Sequence, residues 1–282
     1  MSLIKVVKLG YTYGQGSGAP VQALRGIDLE ISHGEYVAII GRNGSGKSTL
    51  AKCLNGLLLP TEGDVWVEGM NTKDATSRLK IRETVGMVFQ NPENQFIATT
   101  VEEEIAFGPE NLGLPRDILI ERVEWALREV GLEELRHRDP QRLSAGQKAR
   151  VAIASVLAMQ PACLVLDEAT ALLDPLARQD VLDLLSRLHH EGLTIVSITH
   201  LMDEIVRAQR VCVLAGGSLV LEGSPREVFS QEEMLVSLGL DLPPAATVAR
   251  GLRQRGLGLA RGLLTPRELA EAVCLLSEVP CG

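Results

Sequence analysis

Along this chain, runs of apolar residues with two different periods alternate, and each change of period is marked by Gly or Pro. From residue 1 to about 40 the pattern is strand-like: "IKVVKLGYTY", a Gly-rich turn, "LRGIDLEIS", then "EYVAII". The β-branched run Val37 to Ile40 reads as a buried parallel strand. It leads into "GRNGSGKSTL", after which "STLAKCLNGLL" carries the 3.6-residue period of a helix, expected to run until Pro60 stops it. "GDVWVEGM" predicts a short strand near a tight turn.

Residues from about 91 to 139 predict a mostly helical insertion. "DILIERVEWALREVGL" is its clearest amphipathic element, and Pro109, Pro115 and Pro140 are expected to break it. "LSAGQKAR" then opens a further helical run, "VAIASVLAM". Two strand-plus-helix units follow, "CLVLDE" with "RQDVLDLLSRLHH" and "TIVSITH" with "MDEIVRA", and this alternation implies a parallel sheet covered on both faces. "RVCVLAGGSLVLEG" reads as a hairpin turning at "AGG". Beyond about Phe229 come short helical pieces, one beginning at Thr265, Pro266 and Glu268 as N-cap, N1 and N3. Residues 230–282 are therefore expected to form a small appended helical domain.

Composition narrows the class. The 282 residues are 45% hydrophobic, ample for a real core. With 36 acidic against 28 basic residues the net charge is -8, which argues against a general electrostatic grip on nucleic acid. The five cysteines are scattered without C-x-x-C spacing, which argues against a disulfide framework or a zinc site and fits a reducing cytosol. Neither a secretory leader nor an apolar run of about 18 residues is visible.

The chemistry concentrates at the ends of the predicted strands. "GRNGSGKST" fits G-x-x-x-x-G-K-[ST] between a strand and a helix: the glycines turn backbone N–H groups toward a β-phosphate, Lys47 supplies a cation, and Ser48 offers a hydroxyl to Mg²⁺. Asp167 and Glu168 end an apolar strand, where ligands of open α/β sheets collect. Asp167 can hold Mg²⁺ through a water, and Glu168 can orient or deprotonate an attacking water. His200 ends the next strand, placed to contact a γ-phosphate. Gln90 closes "GMVFQ" and can touch Mg²⁺ or water. The opening of "LSAGQKAR" is a second potential anion site, because a helix start leaves N–H groups unpaired.

With these motifs the chain from residue 1 to about 229 resembles the nucleotide-binding subunit of ABC transporters. The resemblance implies an α/β P-loop NTPase fold with a RecA-like core, an antiparallel β subdomain and a helical signature subdomain at about 91–160. It implies ATP and Mg²⁺ as ligands, with Gly41, Asn43, Gly44, Ser45, Gly46, Lys47, Ser48 and Thr49 in the phosphate loop and Tyr13 stacking on adenine. It implies metal contacts from Ser48, Gln90 and Asp167, catalytic roles for Glu168, His200, Gln90 and Lys47, and a D-loop around Asp174. In that family two cassettes join head to tail, so Ser144, Gly146 and Gln147 of one subunit would cap the nucleotide of the other. Ala145 stands where Gly is more usual, and a modest loss of efficiency is the most expected from it.

A narrower resemblance lies in "VGMVFQNPENQFIATTVEEEIAFGPENLGLP", which looks like the ATPases of energy-coupling factor transporters, importers of vitamins or of transition metal ions such as cobalt and nickel. It implies a peripheral subunit on the cytoplasmic face of the membrane. Its partners would be a second ATPase subunit, identical or paralogous, a transmembrane coupling subunit and a substrate-binding membrane subunit, and the segment after residue 230 would assist dimerisation. Two other classes fit less well. A soluble ABC ATPase of DNA maintenance needs a long coiled coil where this chain has a proline-interrupted insertion. A non-hydrolysing regulatory protein would tolerate loss of Glu168 or His200, and both are present.

Overall fold

A computed structural model describes residues 2–14, 19–91 and 96–277. The centre of the Gly-rich turn, at 15–18, and positions 92–95 of the segment read as specific to energy-coupling factor ATPases lie outside the described residues.

Two sheets carry the molecule. Strands β1 (Ser2–Tyr13), β2 (Val21–Ser32), β4 (Glu62–Val67) and β5 (Met70–Asn71) form an antiparallel sheet ordered β2-β1-β4-β5. The second sheet is ordered β10-β9-β3-β8-β7-β6, from β3 (Tyr36–Ile40), β6 (Val85–Val88), β7 (Cys163–Asp167), β8 (Thr194–Ile198), β9 (Arg210–Ala215) and β10 (Ser218–Gly223). Its strands from β9 to β6 run parallel, and the β9–β10 hairpin turns at Gly216–Gly217 as the "AGG" pattern predicts.

Every residue of β3, β6, β7 and β8 is buried, which is why these strands read as unbroken apolar runs. Alternate residues serve different cores. Tyr36, Ala38 and Ile40 pack with the helical side, while Val37 and Ile39 pack with the antiparallel sheet and helix α1 (Lys47–Leu54). Each fully buried aliphatic contributes about 1.5–3 kcal/mol, against about 0.5–1.5 kcal/mol net for a hydrogen bond, so burial on both faces outweighs the ladder.

The helical side contains α3 (Val101–Asn111), α4 (Arg116–Val130), α5 (Ala145–Leu157) and α6 (Pro175–His190). Pro115 sits at the N-cap of α4 and Pro140 opens a 3₁₀ turn, Pro140–Arg142, so both mark boundaries. Pro109 does not break the chain: it lies buried inside α3, two residues before its end. The preceding residue, Gly108, has no Cβ to clash with the pyrrolidine ring, which lowers the cost of helical backbone there. Two further elements are shorter than their patterns suggest. Helix α1 ends at Leu54, with Asn55 as C-cap, well before Pro60, and "MDEIVRA" forms only the single turn α7 (Met202–Ile205).

At Gly86, strand β6 and helix α5 approach so closely that an added Cβ would lie 2.1 Å from Val156 Cγ1. Gly86→Val should therefore lower unfolding stability by about 1–3 kcal/mol through overpacking. A melting curve that superimposes on the wild type would refute that contact.

Beyond β10 come α8 (Pro225–Ser230), α9 (Glu232–Ser237), α10 (Pro244–Gln254) and α11 (Pro266–Ser277). Phe229 and Leu235 belong to the main helical core, whereas Ala249, Leu259 and Leu263 gather a small core of their own. Buried Glu232 takes Arg253 as its ion-pair partner, tying α10 to α9, and Glu268 pairs with Arg226 across α11 and α8. Thr265 accepts the Glu268 N–H at 3.2 Å, as an N-cap should. Cys53, Cys163 and Cys212 are buried free thiols, and burial pushes Cys53 and Cys212 up to about 12. Cys274, in contrast, is disulfide-bonded, a pairing that the scattered spacing did not predict. Among the described residues no helix is long and apolar enough to cross a membrane.

Candidate functional site

The loop 41–46 leaves β3 and enters α1 through Gly46, whose φ of 103° is open to glycine and whose added Cβ would lie 2.6 Å from the Ala23 carbonyl oxygen. No side chain caps α1, so its first-turn N–H groups face the loop's concavity with the positive end of the helix dipole behind them. Lys47 is buried and donates to the carbonyls of Gly41 at 2.8 Å and Arg42 at 3.1 Å. An ammonium has three donors, so one remains for a phosphate oxygen. Burial lowers the Lys47 pKa, and the charges of Glu168 and Asp167 oppose that shift. Ser45 Oγ is buried in the loop without a hydrogen-bond partner among the described residues.

A cleft of about 450 Å³ spreads in front of this loop. Asn43, Gly44, Lys47, Ser48 and Thr49 line it together with Gln90, Glu168 and Tyr13. The Tyr13 hydroxyl lies 3.1 Å from Thr49 Oγ1, and its ring meets Tyr11 edge-on at 4.7 Å. Val21, Gln22 and Ala23 of β2 also line the cleft beside Tyr13, residues that sequence reasoning missed. The only signal was an apolar Val21 left 62% exposed, and exposure is invisible in sequence.

Ser48 donates from Oγ to Asp167 Oδ1 at 2.8 Å, which brings together two of the three residues read as metal contacts, while the third, Gln90, turns its amide to Glu168. Burial raises the Asp167 pKa, the Ser48 bond opposes the shift, and the neighbouring Glu168 charge adds to it. Paired hard oxygens suit Mg²⁺. Among the described residues no cluster of three His, Cys, Asp or Glu could hold a metal, so a divalent ion at Ser48 and Asp167 would take the rest of its shell from water and phosphate oxygens.

Glu168 has a φ of 52°, unusual for a residue with a Cβ and costing about 1–3 kcal/mol, a cost that surrounding contacts must hold in place. Its N–H donates to the Ile198 carbonyl at 2.9 Å, fastening it to the end of β8. Gln90 Nε2 donates to Glu168 Oε2 at 3.0 Å, and His200 Nδ1 stands 3.9 Å from Oε1. Gln90, Glu168 and His200, read separately from three strand ends, thus converge on one carboxylate.

The signature residues do not join them. Ser144, Gly146 and Gln147 are absent from the lining of the cleft. Ser144 is the N-cap of α5 in a reciprocal capping box: its Oγ accepts the Gln147 N–H at 3.3 Å, and its own N–H donates to Gln147 Oε1 at 3.0 Å. Gly146 has a packing reason as well, since a Cβ there would fall 2.7 Å from Ala177 Cβ at the start of α6. Asp174 caps α6 by accepting the N–H groups of Leu176 and Ala177.

A phosphate loop at the carboxyl end of a parallel sheet, with an antiparallel sheet on one face and a signature-bearing helical segment on the other, defines an ATPase of the ABC type. The ABC transporter family model matches residues 24–171. The chain is 53% identical over 277 residues to the energy-coupling factor transporter ATP-binding protein EcfA1 of Symbiobacterium thermophilum, covering 96% of each. It is 47% identical over 273 residues to the protein of the same name from Caldanaerobacter subterraneus subsp. tengcongensis, covering 96% of this chain and 99% of that one. Among solved structures, cbiO1 from Clostridium perfringens, described as part of the ABC transporter complex cbiONQ, is 39% identical with a TM-score of 0.74, covering 84% of this chain and 94% of that one. The dimeric cassette MJ0796 bound to ADP and Pi is 30% identical with a TM-score of 0.71, covering 78% and 98%. The chain belongs to the ABC transporter ATP-binding proteins, in the group formed by those of energy-coupling factor transporters.

Proposed function

We propose that this ATPase works as one half of a head-to-tail dimer and drives a membrane importer for a vitamin or a transition metal ion. The observation that carries the dimer is the separation just described: Lys47, Ser48, Gln90 and Glu168 line one cleft, with Asp167 bonded to Ser48, while Ser144, Gly146 and Gln147 are presented elsewhere. A second cassette would bring its signature to this cleft and receive this chain's signature in return. The dimeric MJ0796 cassette supports that arrangement by similarity.

In this reading Tyr13 holds the base, the α1 N-terminus and Lys47 hold the phosphates, and Glu168 takes a proton from the water that attacks the γ-phosphorus. Gln90 holds the carboxylate by a hydrogen bond and His200 stands beside it, so the base is oriented before the nucleotide arrives. Mg²⁺ bound with ATP at Ser48 and Asp167 would neutralise charge on the phosphate oxygens. Lys47 and the partner's α5 N-terminus stabilise the equatorial oxygens as charge builds there.

The membrane partners fit a second feature. An apolar groove of about 350 Å³ lies between helix α2 (Arg78–Thr84), β6 and helices α3 and α5, walled by Leu79, Phe89, Phe96, Phe107 and Met159. Leu79 and Phe107 are exposed. A helix of the transmembrane coupling subunit would bury them, holding this subunit at the cytoplasmic face of the membrane. The segment after residue 230 would reinforce the ATPase pair, identical or paralogous. The cargo is selected by the membrane subunit and need not touch this chain.

Because each nucleotide needs two chains, specific ATPase activity should fall toward zero on dilution, and ATP should shift the light-scattering mass from one chain to two. Activity that stays constant in a solution of monomers would overturn the scheme.

A further inference from the structure

Glu204 is a carboxylate with only 3% exposure, far from the surface where acids normally sit. It lies in α7, four residues after His200. Two hydroxyls satisfy it: Ser197 donates to Oε2 at 2.6 Å, and Thr170 donates to Oε1. Ser197 belongs to β8, the strand that leads to His200. Thr170 belongs to the turn that begins at Glu168, closed by the Ala171 N–H on the Glu168 carbonyl at 3.0 Å. Burial, then the Glu204 charge, push the pKa of the buried Tyr36 phenol up.

The segments carrying Glu168 and His200 are joined by the backbone bond from Glu168 to Ile198. That bond closes the β7–β8 ladder, which ends at Asp167 opposite Ile198, and among the described residues no backbone bond beyond it joins the left-handed Glu168 turn to the exposed His200. The Glu204 side chain adds a side-chain tie at the end of that ladder, joining α7, the turn after Glu168 and the last residues of β8.

We propose that Glu204 is a positioning residue for hydrolysis: by gripping Thr170 and Ser197 at once it sets the distance between the Glu168 carboxylate and the His200 imidazole. The proposal rests on the roles given above to Glu168 and His200. A buried acid kept only for stability could be replaced by an apolar residue at little cost to rate, whereas an aligning acid could not.

The test uses the full-length chain as an ATP-bound dimer, with kcat, KM for ATP and melting temperature measured for each variant. Thr170→Val, which keeps volume and removes one donor, and Glu204→Ala should each lower kcat by about 10- to 100-fold with KM nearly unchanged. Glu204→Gln can still bond both hydroxyls, since a hydroxyl both donates and accepts, and should restore most of the rate. In a His200→Ala background, Thr170→Val should cost little more, because what it aligns is gone. Should Glu204→Ala not fold, Thr170→Val and Glu204→Gln decide the matter. Wild-type kcat in Thr170→Val, or full additivity with His200→Ala, would overturn the positioning role. If His200→Ala itself hydrolyses ATP at the wild-type rate, the role given to His200 fails instead.

Discussion

Glu168→Gln should slow ATP hydrolysis by about 10²- to 10⁴-fold while leaving ATP affinity close to that of the wild type. The amide matches the carboxylate in shape and can still meet Gln90, which donates to Glu168 Oε2 at 3.0 Å, but it cannot accept a proton from water. None of the groups around the phosphates is changed: Lys47 keeps its two carbonyl contacts and Ser48 keeps Asp167. The dimer that closes on ATP should therefore fail to reopen and should accumulate at twice the chain mass on a sizing column run with ATP. A variant that still releases phosphate at the wild-type rate would remove Glu168 from the chemistry.

Lys47→Ala should give the opposite pattern, with hydrolysis lowered by about 10²- to 10³-fold because ATP is no longer held. The Lys47 ammonium bonds the carbonyls of Gly41 and Arg42, so it braces the loop as well as offering a charge to the phosphates. Without it the loop's carbonyl oxygens face the nucleotide uncompensated. Arg would not substitute, since its planar fork cannot replace a compact point charge in so confined a space. Equilibrium binding of a fluorescent ATP analogue checks this, and ATP should no longer promote dimerisation. Undiminished ATP binding would sink the role given to Lys47. The two variants fail in different ways, one holding ATP and one never gaining it.

Much of this site could be read from the chain because strand ends and helix starts carry local signatures. The run from Gly41 to Ser48 places its own glycines where backbone must approach a ligand, and the apolar strand before Asp167 and Glu168 marks itself as buried. Other features depend on distant neighbours. Pro109 reads as a helix breaker, and only its burial with Gly108 before it lets α3 continue. Val21 and Gln22 join the cleft because β2 begins at Val21, three residues before the run "LRGIDLEIS", and pairs there with β1 beside Tyr13. Glu204 looks like one more acid on a short polar helix, and its burial beneath Thr170 and Ser197 appears only once β7 and β8 lie side by side.

Strand β6 has a further consequence. Gly86, Met87 and Phe89 wall the apolar groove, while Gln90, the next residue, touches Glu168. A helix pressed into the groove and a nucleotide in the cleft would thus push on neighbouring residues of one short segment. Thermodynamic linkage makes that relation symmetrical: whatever factor ATP adds to the groove's affinity for its occupant, the occupant must add to the affinity for ATP. An importer built this way would let its membrane half set the tension of the nucleotide site with no signal carried through the rest of the sheet.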